Sequence, residues 1–200
     1  KTNIPYICGK CHVGILKDYR KSVHGKALLR NKNIDAPACT DCHGVHVIEE
    51  PTNAKAKTFS RNIPGTCAKC HAVGTLMTKY GIKTDQVKEY RESFHGKANV
   101  YGQLKAANCS SCHGIHNIMG INDPLSQVSR QNLPKTCGKC HKEALSNPNF
   151  SKVIMHVNPS EKIEPIAYYI RIIYIFLIAL TIGGMSAYNI LDLIKRRRKK

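Results

Sequence analysis

Residues 39–46 read CTDCHGVH, and the reading of this stretch decides what kind of fold the chain can have. Cys39, Cys42 and His43 form C-x-x-C-H, in which two thiols bond covalently to the vinyl groups of a haem and the next histidine is placed to bind the iron. His46 follows three residues later. It is one histidine more than the attachment of a single haem requires.

The same motif occurs four more times. The copies are Cys8, Cys11 and His12; Cys67, Cys70 and His71; Cys109, Cys112 and His113; and Cys137, Cys140 and His141. All 10 cysteines of the chain are used in these motifs, so none is left for a disulfide or a free thiol. Zinc knuckles and disulfide frameworks also use paired cysteines, but neither requires a histidine directly after the second cysteine every time. The expected cofactors are therefore five covalently bound haem c groups, with iron as the metal.

A chain of 200 residues that carries five macrocycles has little polypeptide for a conventional core. Trp is absent and only 4 Phe occur, in keeping with flat cofactors that supply the apolar bulk. The expected fold class is mostly α and irregular, organised around the haems, with one transmembrane helix at the C-terminus. The expected domains are a pentahaem cytochrome c domain over 1–160, an anchor over 161–194 and a basic cytoplasmic tail over 195–200.

The formal charge of +18 does not point to nucleic acid. Six of those charges are Lys195, Arg196, Arg197, Arg198, Lys199 and Lys200, which leaves +12 for the rest. Ten ionised haem propionates would bring about −10, so the loaded domain is close to neutral. Scattered lysines that balance propionates explain most of the excess, and a docking patch for an acidic partner is the other reading.

Residues 172–191, IIYIFLIALTIGGMSAYNIL, carry no charge over a length close to a bilayer core. Pro165 can open the helix, Arg171 can snorkel at the outer margin, and Tyr168, Tyr169, Tyr174 and Tyr188 lie towards its ends as in an aromatic belt. The KRRRKK tail at 195–200 stays cytoplasmic by the positive-inside rule and can meet anionic lipid. Residues 1–160 then face the periplasmic or extracytoplasmic side of the inner membrane, where haem is attached. Lys1 lies seven residues before the first haem cysteine, so the chain is expected to begin after a removed leader. Gly183, Gly184, Ser186 and Ala187 read either as a face for a partner helix or as ordinary membrane-helix composition.

The chain repeats itself. DYRKSVHGKA at 18–27 matches EYRESFHGKA at 89–98, CTDCHGVHVI at 39–48 matches CSSCHGIHNI at 109–118, and NIPGTCAKCH at 62–71 matches NLPKTCGKCH at 132–141. NIPYICGKCH at 3–12 is a third copy of the last. Two motif types alternate: N-[IL]-P-x-x-C-x-K-C-H three times, and H-G-K-A followed by C-x-x-C-H-G-[VI]-H twice. Such alternation predicts a row of haems generated by duplication. Apolar spacing predicts one helix over 84–101, with Val87, Tyr90, Phe94, Ala98 and Tyr101 on one face and Thr84 or Asp85 as its cap. Stretches 49–57 and 122–131 have loop composition, and Asn147-Pro148 and Asn158-Pro159 mark turns.

Of 10 histidines, five belong to the motifs. The other five are His24, His46, His95, His116 and His156, and the pairs His24/His95 and His46/His116 recur in the repeat. Five irons that each need a sixth ligand match five unassigned histidines, which predicts bis-histidine coordination throughout. Met77, Met119 and Met155 are the rival ligands outside the anchor, and none recurs. Imidazole on both faces favours ferric iron and lowers potentials relative to a His/Met pair.

The stretch KCHVGILKDYRKSVHGKA…ACTDCHGVH over 10–46 resembles the first two haem motifs of membrane-anchored quinol dehydrogenases of the NapC/NirT type, and the likeness recurs at 80–116. That resemblance implies a bis-histidine wire fed from a membrane quinol pool or a quinol-oxidising partner. Five motifs stand here where those proteins usually have four, and the anchor is C-terminal where theirs is N-terminal. The chain is accordingly expected to be an electron-transfer subunit with no catalytic residue. Its expected partners are the membrane, a quinone-linked membrane subunit and a soluble or peripheral redox protein. The alternative is a multihaem oxidoreductase with one five-coordinate haem acting on a small nitrogen or sulfur oxyanion. No C-x-x-C-K variant occurs to favour it. A third class is a structural element of an extended cytochrome chain.

His43 and His46, three apart, would project from one side of a helical turn, whereas two axial ligands must approach an iron from opposite faces. CTDCHGVH is thus expected to serve two haems, its own through His43 and a neighbour through His46, with His113 and His116 doing the same in the second copy.

Overall fold

The computed structural model describes residues 1–153, 156 and 165–198, which fall into two compact units, Lys1–His156 and Val157–Lys200. Met155, the Asn158-Pro159 turn, the expected boundary at 160/161 and the tail residues Lys199 and Lys200 lie outside the described residues.

The first unit is a string of short helices: α1 Ile4–Gly9, α2 Val13–Lys21, α3 Val23–Gly25, α4 Cys39–His43, α5 Ile63–His71, α6 Gly74–Met77, α7 Gln86–Glu92, α8 Phe94–Val100, α9 Cys109–His113 and α10 Leu133–Cys137. Single 3-10 and π turns and irregular chain join them, and no strand occurs among the described residues. The two expected loops, 49–57 and 122–131, carry no helix.

Each repeated motif has a local reason for its letters. In N-[IL]-P, the proline sits in the first turn of α1, α5 and α10, where its missing N–H costs nothing. The asparagine holds the preceding loop: Asn62 Nδ2 donates to the Ala54 and Ala56 carbonyls at 2.9 and 2.8 Å, and Asn132 Nδ2 to those of Pro124 and Ser126 at 2.8 Å each. Thr66 and Thr136 add hydroxyl donations to Lys57 O and Gln127 O at 2.7 and 2.6 Å. The loops are irregular but braced.

In the second motif type, Gly44 and Gly114 end α4 and α9 at φ +99° and +85°, a region that disfavours side chains. The chain leaves the helix there, so His43 and His46 do not share a helical turn. Upstream, Ser22 Oγ accepts from Gly25 N at 2.9 Å while donating to Tyr19 O at 2.7 Å, and Ser93 makes the same pair with Gly96 N and Tyr90 O at 3.2 and 2.6 Å. A Cβ on Gly25 would lie 1.8 Å from Tyr19 O, and one on Gly96 1.9 Å from Tyr90 O. The H-G pair thus needs glycine so that the turn carrying the histidine can press on the helix before it.

This serine turn splits the helix expected over 84–101. Ser93 adopts ψ 163°, so α7 stops at Glu92 and α8 starts anew, capped by Ser93. The apolar face splits with it: Val87 and Tyr90 are buried, whereas Phe94 and Tyr101 are exposed. Asp85 sits at the start of α7 without a side-chain cap bond.

The buried apolar cluster of the unit is small, comprising Tyr19, Leu28, Leu29, Ala36 and Ala38. Ile7, Val13, Ile34, Val45, Phe94 and Leu125 stay exposed, more apolar surface than a self-sufficient core would leave. In the second unit, α11 Pro165–Arg198 is one 34-residue helix. Its stretch Tyr168–Arg198, of hydropathy 1.9, is long and apolar enough to cross a membrane.

Candidate metal centres

The five-residue helices α4 and α9 begin at the first motif cysteine and end at the motif histidine, and α5 carries a whole motif, Cys67, Cys70 and His71, in its last turns. Each motif therefore offers two thiols and one imidazole from a single short segment. What faces that imidazole comes from far along the chain.

Four motif histidines are each met by a histidine from outside the motifs. His24 faces His71 with ring centroids 6.1 Å apart, His116 faces His43 at 6.1 Å, His95 faces His141 at 6.0 Å and His156 faces His113 at 6.2 Å. Interplanar angles run from 12° to 49°, while the separation hardly changes. A metal–imidazole bond is roughly 2.0–2.1 Å and the ring centre lies about 1.1 Å further on, so two rings trans on one metal have centroids about 6.2 Å apart. Rotation about that axis is free, which accounts for a fixed distance with varying angle. Aromatic rings packed on each other directly scatter over about 4.5–7 Å between centroids, whereas these four pairs all fall between 6.0 and 6.2 Å. The spacing fits a six-coordinate iron between each pair.

Electrostatics agree with this donor set. Burial lowers the pKa of His24 to about 4, with His71 as a second cause, and burial likewise lowers those of His43, His71, His95, His113 and His116. These imidazoles are neutral near pH 7, so each keeps a nitrogen lone pair for a metal. His156 Nδ1 lies 3.0 Å from the Gln86 carbonyl, a bond that fixes the ring and leaves Nε2 for an iron. Its backbone sits at φ +62°. Among the described residues, no three His, Cys, Asp or Glu converge to hold a metal ion by themselves.

The motif sulfurs, which stand where haem thioethers would be, run in chain order. The Cys39 and Cys8 thiols adjoin, and burial first, then that neighbour, pushes Cys39 up to about 11. Burial pushes Cys42 up to about 11, with Cys67 the next cause and Cys70 a smaller one after Asp41. Cys70 itself is half-buried in the last turn of α5, so both thiols of the third motif lie close to the second. The Cys67 and Cys109 thiols adjoin, and that neighbour together with burial raises the Cys67 pKa. Burial raises Cys112, helped by Cys137 and Cys140. Consecutive motifs thus adjoin from first to fifth.

Two open cavities, about 510 and 610 Å³, are lined by cations. The first has Arg20, Lys21, Lys26 and Arg30 with Asp123. The second has Lys55, Lys57, Arg61, Lys69 and Arg91. Both suit carboxylates such as propionates.

The remaining histidines are His12 and His46, both exposed. His12 lies near enough to the His43–His116 pair to lower both pKa values, after burial. Among the described residues no imidazole faces His12 or His46 at the spacing of the other four pairs. His116 leaves its own motif to face the imidazole of another. It faces the second motif, two along the chain rather than next to it. Sequence spacing missed this pairing, and also missed Ser22, Ser93 and the Gln86 carbonyl as the groups that aim the distal rings. The recurrence of S-x-H-G at 22–25 and 93–96 was the available signal for the serines.

No family model matches the chain, and no solved structure matches it. The chain is 27% identical over 147 residues to "Cytochrome c-type protein NrfB" of Escherichia coli O6:H1, covering 61% of this chain and 73% of that protein. It is 31% identical over 137 residues to "Multiheme cytochrome MtrA" of Shewanella baltica, covering 68% of this chain but only 32% of that protein. The chain spans about a third of the length of the Shewanella relative. Over 61% and 68% of its length, then, this chain is similar to a c-type cytochrome and to a multihaem cytochrome.

Proposed function

We propose that the chain is a membrane-anchored pentahaem c-type cytochrome that relays electrons along a row of bis-histidine haems and performs no bond chemistry of its own. The haems are held by Cys8 and Cys11, Cys39 and Cys42, Cys67 and Cys70, Cys109 and Cys112, and Cys137 and Cys140. The observation that carries the proposal is the set of four imidazole pairs at 6.0–6.2 Å, each joining a motif histidine to one outside the motifs. On this reading the irons would be held by His43 with His116, His71 with His24, His113 with His156 and His141 with His95, with His12 and His46 left for the first haem. The adjoining motif sulfurs support a relay that runs from the first haem to the fifth.

When bound, the haems supply one-electron redox chemistry. The polypeptide would attach them through the motif cysteines and offer an imidazole to each face. The similarity to proteins named as a c-type and a multihaem cytochrome supports this reading. Residues 1–160 form the haem domain on the extracytoplasmic side, 161–194 the anchor and 195–200 the cytoplasmic tail. The relay joins a quinone-linked membrane subunit to a periplasmic redox protein. Likeness to the NapC/NirT type is confined to the short motifs.

Low-temperature EPR of the oxidised protein tests the relay. Low-spin bis-imidazole signals for the four paired haems are expected, and a high-spin signal from more than one haem would sink it. The exposed, unfaced His12 is the one observation that favours the second reading, an oxidoreductase with a single five-coordinate haem. Reduction of nitrite or a sulfur oxyanion by the isolated chain would favour that reading instead.

A further inference from the structure

The two copies of the C-H-G-[VI]-H loop are nearly identical in sequence and differ in how they are held. In the second copy, the Ile118 carbonyl accepts from Val23 N at 2.8 Å, which pins the loop to the first H-G-K-A turn. The glycine turn itself is tight in both copies: a Cβ on Gly114 would meet Asn117 Oδ1 at 2.8 Å and Gln127 Nε2 at 2.9 Å, and one on Gly44 would meet Val47 O at 2.9 Å. His116 is half-buried and faces His43. Val45 and Ile115 are each 66% exposed, but in the first copy His46 is exposed and Val47 and Ile48 are 69% and 63% exposed, whereas His116 and Ile118 are half-buried.

The other distal histidines also have fixed mounts. His24 and His95 ride on serine-capped turns, and His156 is hydrogen-bonded to the Gln86 carbonyl. Their rings already stand at metal-spanning distance, so little ordering remains when a haem enters. His46 must still bring its loop down, and the entropy of ordering that loop is subtracted from its bond to iron. At the first motif itself, Cys11, His12 and Val13 are exposed and Ile7 is 63% exposed, so the approach to it is open and apolar.

We infer that the first haem, held by Cys8, Cys11 and His12, has an exchangeable sixth position: His46 closes it from the unpinned loop, and a small uncharged π-acceptor ligand such as carbon monoxide or nitric oxide displaces it from ferrous iron. The inference rests on the five-haem reading above. The exchange breaks one iron–nitrogen bond and makes one iron–ligand bond, with no net electron transfer.

Carbon monoxide titration of the reduced, full-length holoprotein in detergent tests it, with haem counted by pyridine haemochrome. One carbon monoxide per five haems is expected in the wild type, at a rate limited by release of His46. His46→Ala keeps one site and fills it about tenfold faster or more, because no loop has to open. His116→Ala takes up two. Five haems with no uptake by either the wild type or His46→Ala would overturn the exchange alone. Uptake by more than one haem in the wild type, or uptake unchanged in Cys8→Ser/Cys11→Ser, would also overturn it. A count of four with the first motif empty would overturn both the exchange and the five-haem reading.

Discussion

The rings of His43 and His116 stand 6.1 Å apart and within 12° of parallel, although one ends α4 in the first repeat and the other follows α9 in the second. An iron held between them would be attached by one repeat and closed by the other. His24 with His71 and His95 with His141 make the corresponding clasp for the N-[IL]-P type, reaching forward along the chain. The repeats thus meet through facing imidazoles as well as through packing.

Removal of one distal histidine should open one named haem. His116→Ala is expected to convert the second haem to high spin and leave the third, fourth and fifth low-spin. His24→Ala should do the same to the third, the haem held by Cys67 and Cys70. EPR spin quantitation, combined with loss of the matching attachment motif, checks the assignment. Conversion of a different haem would reject the pairing.

The H-G-K-A turn should be intolerant at its glycine and only moderately sensitive at its cap. Gly25→Ala places a Cβ against the Tyr19 carbonyl, so the turn must move and His24 with it. Ser22→Ala loses the bond to Gly25 N and should cost about 1 kcal/mol. Thermal unfolding of the holoproteins ranks the two, and Gly25→Ala alone should also perturb the third haem's spectrum.

Acid should weaken one tie through Asp35. Its carboxyl accepts from Tyr80 at 2.7 Å and pairs with Lys79 at 3.4 Å, and the tyrosine bond first, then the lysine, lowers its pKa. A lowered carboxylate pKa gives stability that is full above the unfolded value and is lost as pH falls through the folded one. Tyr80→Phe moves the folded value back up, so the loss begins at higher pH. Acid-unfolding curves of wild type and variant should separate below about pH 5 and coincide near neutrality.

Truncation separates the anchor from the haem domain. A chain ending at residue 160 is expected to be released from membranes by alkaline wash with its low-spin signals intact. A chain ending at 150 also leaves the membrane but lacks His156, so its fourth haem turns high-spin. Retention of either fragment in the membrane would contradict an anchor confined to α11.

Much of this was legible in the residues alone. C-x-x-C-H is a local motif whose chemistry lies within five residues, and the duplication lies open in the letters. A charge-free run followed by basic residues marks a spanning helix by composition, as α11 bears out in length. The break at Ser93 was not legible by periodicity, because apolar spacing continues through it while the serine hydroxyl competes for the backbone.

The sequence by itself determined where haem can be attached, how many imidazoles are available and that the chain is helical and irregular rather than stranded. Only the tertiary structure decided which imidazole faces which, since that depends on contacts between distant segments: a serine turn at 22–25, a strand-free loop pinned by Val23, a carbonyl of Gln86. Tertiary structure also set His46 apart from its copy His116. Two loops with nearly the same letters differ because one meets a neighbouring turn and the other does not, and no local pattern records a neighbour.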